Sequence, residues 1–128
     1  MKLAKHLLSA VFILALAACA FQQPRQDADY GSVPDNYQQL IVTYYQDILK
    51  DPDSAKYKFE SPQRAYGNTG LAYGGGVTWI GMAVRIQINA KNSFGGYTGF
   101  DPYTVFFTNG RVTGQAEGWS PLLVTFID

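Results

Sequence analysis

The chain has 128 residues, with ten Lys plus Arg, ten Asp plus Glu, one histidine and a formal net charge of zero. That length holds one domain, and the charge balance makes no electrostatic case for nucleic acid, which wants a basic face. With a single cysteine there is no internal disulfide to form, so stability must come from apolar packing, for which nine Tyr, eight Phe and two Trp supply the material.

Lys2, Lys5 and His6 form a basic head, and residues 7–18 are apolar apart from Ser9. Such a run makes about 18 Å of helix, short of the ~20 residues that cross a bilayer. Basic head, short apolar run and small residues together predict a signal peptide over 1–18. Leu16-Ala17-Ala18-Cys19 resembles the bacterial lipobox. That resemblance implies a diacylglyceryl thioether on Cys19, cleavage before it and acylation of the new amino group. A thiolate is the nucleophile that suits lipid transfer. If Cys19 were incidental, Ala15-Leu16-Ala17 or Ala18-Cys19-Ala20 would serve as an ordinary cleavage site. Several acyl chains hold a protein to a membrane where one is marginal. Residue 20 is Ala, not the Asp that resembles an inner-membrane retention signal, which implies the periplasmic face of the outer membrane.

Residues 19–34 are expected to be the lipidated cysteine and a flexible tether, polar and without period. Residues 35–50 predict one amphipathic helix. Tyr37, Leu40, Ile41, Tyr44, Tyr45, Ile48 and Leu49 fall on one stripe, Asp35 and Gln38 suit a capping box, and Asp51-Pro52 ends the helix. Residues 55–59 predict a short strand, and 61–76 a long mobile loop. Residues 77–90 predict the longest strand, with Ile80, Met82, Val84, Ile86, Ile88 and Ala90 on one face and Trp79, Arg85, Gln87 and Asn89 on the other. Residues 102–108 predict a further strand, Asn109-Gly110 a two-residue hairpin turn, 111–113 its return, and 122–127 a last strand. The expected class is α+β: one N-terminal helix on a single antiparallel sheet of about four or five strands, in a single domain over 35–128.

Little in this domain suggests catalysis. His6 leaves with the signal peptide and Cys19 is consumed by lipid, which removes Ser-His-Asp and Cys-His chemistry and His/Cys zinc sites. Glu60, Asp101 and Glu117 are the carboxylates available for acid–base work, with no spacing that links them. Asp51-Pro52-Asp53-Ser54 lacks the glycine and the distal glutamate of a calcium loop. Gly74-Gly75-Gly76 feeds a strand, where a phosphate cradle would open a helix. No cofactor and no metal are expected.

The most characteristic block is NAKNSFGGYTGFDPY, 89–103. Its Lys91, Asn92, Phe94, Tyr97 and Phe100 form either a hairpin loop folded onto its own sheet edge or a recognition loop with aromatic anchors. LKDPDSAKY (49–57) and NAKNSFGGYTGF (89–100) resemble a group of small exported proteobacterial proteins that combine an L-x-DP-x-SAKF/Y segment with an NAKNS-[FY]-GGYTG segment. The match spans about residues 36–113. It implies a shared fold and export, and lends no catalytic residue. Members often carry a cysteine in the strand before NAKNS, where this chain has Met82, Ala83 and Val84. The expected function is a non-enzymatic outer-membrane lipoprotein whose partners are the membrane, through Cys19, and a protein of an envelope assembly. The alternatives are an inhibitor or immunity-type protein against an envelope-acting enzyme and, third, a carboxylate-based hydrolase.

Overall fold

A computed structural model describes residues 20–127; residues 1–18 and Cys19 lie outside the described residues. Helix α1 (Tyr37–Gln46) lies on an antiparallel sheet of six strands: β1 (Lys56–Phe59), β2 (Gln63–Asn68), β3 (Val77–Asn89), β4 (Asp101–Thr108), β5 (Arg111–Glu117) and β6 (Val124–Ile127). The α+β class and the single antiparallel sheet stand as expected. The strand count is higher than four or five, and the helix sits at 37–46 rather than at the start of the chain.

The sheet runs β5-β4-β3-β2-β6, and β1 also pairs with β3. β3 organises it. Along one edge it takes β4. Along the other it takes β1 against residues 86–89 and β2 against 77–83. β1 and β2 are two halves of one line, broken at Glu60-Ser61-Pro62. Those residues oppose only Val84 and Arg85, so the line bulges by one residue. Pro62 has no N–H to give the ladder, which is why the break falls there.

β2 takes up residues 63–68 of the loop expected over 61–76, and 69–76 remain a connection. Its sequence, QRAYGN, lacks a clean apolar alternation. Ladder bonds to β3 on one side and to β6 on the other make it a strand. The β4–β5 turn is as expected: Asn109 and Gly110 both have positive φ, 50° and 76°.

The core lies between α1 and the even-numbered side chains of β3. Ile41 and Tyr45 pack on Val84, Ile86, Ile88, Val105 and Phe107, with Tyr57, Phe59, Tyr103 and Val112 around them. The helix is shorter than its apolar stripe. Its N-cap is Asn36, which makes no side-chain capping bond, so the capping box expected from Asp35 is not formed. At the other end Ile48 N–H and Leu49 N–H both donate to the Tyr45 carbonyl, tightening the last turn. Ile48, expected in the core, is 47% exposed.

Residues 20–34, expected as a tether, lie along the same sheet face beside α1. Gln22 N–H donates to the Gly75 carbonyl at 2.9 Å, Asn68 Nδ2 donates to the Gln22 carbonyl at 2.8 Å, and Arg64 stacks over Tyr30. The other face is crossed by the β5–β6 connection, residues 118–123. Arg85 holds it, donating from Nε to the Trp119 carbonyl (2.8 Å) and from Nη1 to Gln63 Oε1 (2.9 Å), with its guanidinium on the Phe126 ring.

The buried phenols make the fold sensitive to alkali. Burial pushes Tyr45 well above the ordinary phenol value, and nearby Tyr103, Tyr44 and Tyr57 push the same way; burial also raises Tyr57 and Tyr103. A raised folded pKa means the unfolded chain gives up its proton first. Stability is therefore full below about pH 10 and falls as pH rises beyond it. Urea midpoints should drop as pH rises from about 10 to 12, and Tyr45→Phe should flatten the decline. A midpoint constant over that window would contradict the burial of these rings.

Candidate recognition surface

DPDSAKY and NAKNSFGGYTG, separate in sequence, form one structural unit at the end of β3. Pro52–Ser54 make a single 3-10 turn, and Ser54 Oγ donates back to the Asp51 carbonyl at 2.7 Å. The same Oγ accepts the Lys91 N–H at 2.9 Å, and the Ser54 carbonyl accepts the Tyr97 hydroxyl at 2.8 Å. Lys50 Nζ donates to Ser93 Oγ at 2.7 Å. Each motif thus supplies partners for the other's polar groups.

The 91–97 loop is closed by a Lys91–Tyr97 bridge. Asn92 builds its tip: Oδ1 accepts the N–H groups of Phe94 (2.9 Å) and Gly96 (3.2 Å), and its carbonyl accepts that of Gly95. Gly95 and Gly99 sit at φ +78° and +111°, conformations that favour glycine. Asn89 Oδ1 takes the Gly99 N–H.

The aromatics then divide. Tyr97 is held by Ser54 with Lys56 Nζ 4.7 Å from its ring centre, and Lys91 Nζ lies 5.7 Å from the same ring. Phe100 carries Lys58 Nζ at 4.1 Å. These distances suit cation–π attraction. Phe94 touches none of this and is 97% exposed at the tip. Lys50, Lys56, Lys58 and Lys91 are all the lysines after residue 18, and all four gather here. Among the described residues the one ion pair is Arg25–Asp27, so contact neutralises none of these ammonium groups. Period-two alternation in β1 causes part of this, since Lys56 and Lys58 point away from the core and Tyr57 and Phe59 into it.

Of the three carboxylates considered for catalysis, two come together and the third lies apart. Asp101 and Glu117 line one open hollow beside Tyr103, both exposed, while Glu60 lies at the β1–β2 break with its N–H on the Arg85 carbonyl. Among the described residues no cluster of three or more His, Cys, Asp or Glu could hold a metal ion, and no helix is long and apolar enough to cross a membrane.

One feature escaped the sequence reading. The face opposite α1 holds a groove of about 450 Å3 lined by Gly67, Trp79, Phe106, Thr113, Gly114 and Leu123, with no titratable side chain in its lining. Trp79 meets Phe106 edge to face, and its indole N–H donates to Thr108 Oγ1 at 2.8 Å. The available signal was a tryptophan on the polar side of β3 with glycines in the flanking strands.

Comparison with protein-family models, with curated proteins and with solved structures finds no match to this chain.

Proposed function

We propose that the chain is a lipoprotein, held by lipid on Cys19 to the periplasmic face of the outer membrane. Its domain binds rather than catalyses, and the lysine–aromatic loop recognises an acidic surface on a protein of an envelope assembly. The observation that carries this reading is the gathering of all four lysines after residue 18 at the 91–100 loop, Lys56, Lys58 and Lys91 over Tyr97 and Phe100 and Lys50 on Ser93, beneath a Phe94 that serves no internal contact. An aromatic side chain left in water costs free energy that a partner's pocket would recover, and anchors of this kind dominate many interfaces. The surrounding lysines would steer an acidic partner and make capture salt-dependent. Supporting the export reading are the lipobox resemblance and the absence of any other cysteine or mature histidine.

Two measurements test it. Cells fed radioactive palmitate should label the wild-type protein and not Cys19→Ser, which should also leave the membrane fraction; equal labelling of the two would end the lipoprotein reading. The membrane-extracted protein, used as bait with mass spectrometry, should retain a partner that Phe94→Ala loses by about 2 kcal/mol of binding, roughly thirtyfold in Kd. The thermal midpoint of Phe94→Ala should stay unchanged, because Phe94 packs on nothing. Tyr97→Ala should lower both binding and midpoint, since its hydroxyl ties the loop to Ser54. Undiminished retention by Phe94→Ala, and by a Lys56→Ala/Lys58→Ala pair, would remove the loop as the site.

A further inference from the structure

We infer that the end of the domain nearest Ala20 is a membrane-seating surface, built to lie in the interfacial layer of the bilayer that holds the lipid anchor; this rests on the lipoprotein reading above. The chain outside the described residues ends at this spot. Gln22 is bonded to Gly75, and a side-chain carbon at Gly75 would stand 3.1 Å from the Ala20 carbonyl and 3.3 Å from Leu71 Cδ2. Residue 20 is therefore fixed beside the 70–75 turn, one residue from Cys19.

Around that point the surface is apolar. Tyr73 is 86% exposed and Leu122 89%, with Phe21 and Leu71 also exposed. Phe21 and Leu122 line one hollow, and Phe21 and Leu71 meet at Gly75. The three segments nearest Ala20 at this end, 20–24, 68–78 and 119–124, contain no Asp, Glu, Lys or Arg. The turn carrying Leu71 and Tyr73 is a single 3-10 turn capped by Gly74 at φ +94°, so its side chains project outward. A tyrosine with leucine and phenylalanine, free of charge, suits the boundary between headgroups and acyl chains, where such groups sit about 5–10 Å deep.

The opposite end has the opposite character. β3 has thirteen residues, about 40 Å at ~3.3 Å each. Ala20 lies beside its first residues, and the lysine–Phe94 loop follows its last. Seating the uncharged end on the bilayer points the basic loop away from it, towards the periplasm.

The test uses the full chain in vesicles of neutral phosphatidylcholine brominated on the acyl chains, which quench indole emission on contact. Tyr73→Trp, Leu122→Trp and Phe94→Trp are compared with wild type, whose Trp79 and Trp119 give the background. Intact mass of each sample reports the acyl groups on Cys19. The added emission of Tyr73→Trp and Leu122→Trp should be largely lost, that of Phe94→Trp kept, and neither should change with salt. An acylated chain in which Tyr73→Trp and Leu122→Trp stay bright overturns the seat and leaves the lipoprotein reading standing. Equal quenching of Phe94→Trp also overturns it, because the domain would then lie flat. Shielding that grows with protein-to-lipid ratio marks a second copy as the occupant and overturns it too. Absence of acyl mass ends the lipoprotein reading; the seat then stands if the unacylated chain is still quenched at Tyr73→Trp and Leu122→Trp, and falls if it is not.

Discussion

Ile41→Ala lowers the stability of the domain by about 2–5 kcal/mol, the range for emptying a fully enclosed aliphatic site, whereas Ile48→Ala costs less than about 1 kcal/mol. Ile41 has no exposed surface and sits between Tyr45 and the β3–β4 aliphatics. Removing three carbons there leaves a cavity that the rigid sheet beneath cannot close. Ile48 has already turned out of the helix, and nearly half of its surface meets water. Urea midpoints of the two variants, read with unchanged slopes, decide the matter. The reverse order would sink the placement of the helix on the sheet.

Those two isoleucines also mark how far periodicity reads. The i, i+3, i+4 spacing found the helix and its buried face, because burial of an amphipathic stripe is the strongest force on such a segment. It could not find where the helix stops. Ile48 continues the pattern by spacing alone, and the pattern is blind to a last turn that closes early on the Tyr45 carbonyl. β3 and the Asn109-Gly110 turn were legible for the same kind of reason: a long alternation and a dipeptide with both φ values positive have few other outcomes. β2 was not. Pro62, Gly67 and Gly70 punctuate its sequence as a loop would, and its extended form is imposed by two neighbouring strands. Non-local pairing leaves no local trace.

The candidate surface was half legible. Lys91, Asn92, Phe94, Tyr97 and Phe100 could be picked out because aromatics, a lysine and glycines share one loop. Their roles could not. Asn92 and Tyr97 turn out to hold the loop's shape, and Phe94 alone is left unused. Lys56 and Lys58 were legible only as members of a short strand over 55–59. They join the surface because β1 pairs with the last residues of β3, the ones that lead into the loop. Recognition surfaces assembled across a sheet edge depend on register, and register follows from the whole fold.

Gly81→Ala should destabilise the domain by about 1–3 kcal/mol or more, although it adds one methyl group and φ there is ordinary. The indole of Trp79 folds back across Gly81, two residues along the same face of β3. A Cβ at position 81 would stand 2.5 Å from Trp79 Cζ2, and it would overlap the Phe107 carbonyl oxygen. The indole must lift, which breaks its bond to Thr108 and its edge contact with Phe106, and emission from Trp79 should move to longer wavelength. Gly114→Ala, on the same face with nothing within 4 Å of the added carbon, should be neutral within about 0.5 kcal/mol or slightly stabilising. A Trp79→Ala background separates the two obstacles at Gly81. If the indole alone resists the methyl, Gly81→Ala becomes nearly neutral there, and the difference is the coupling between the two positions. Because the backbone oxygen of Phe107 cannot move without shifting β4, a residual cost of about 1 kcal/mol or more should survive in that background. A Gly81→Ala protein with wild-type midpoint and unshifted emission would mean that the indole does not lie on this glycine, and the groove would lose its floor.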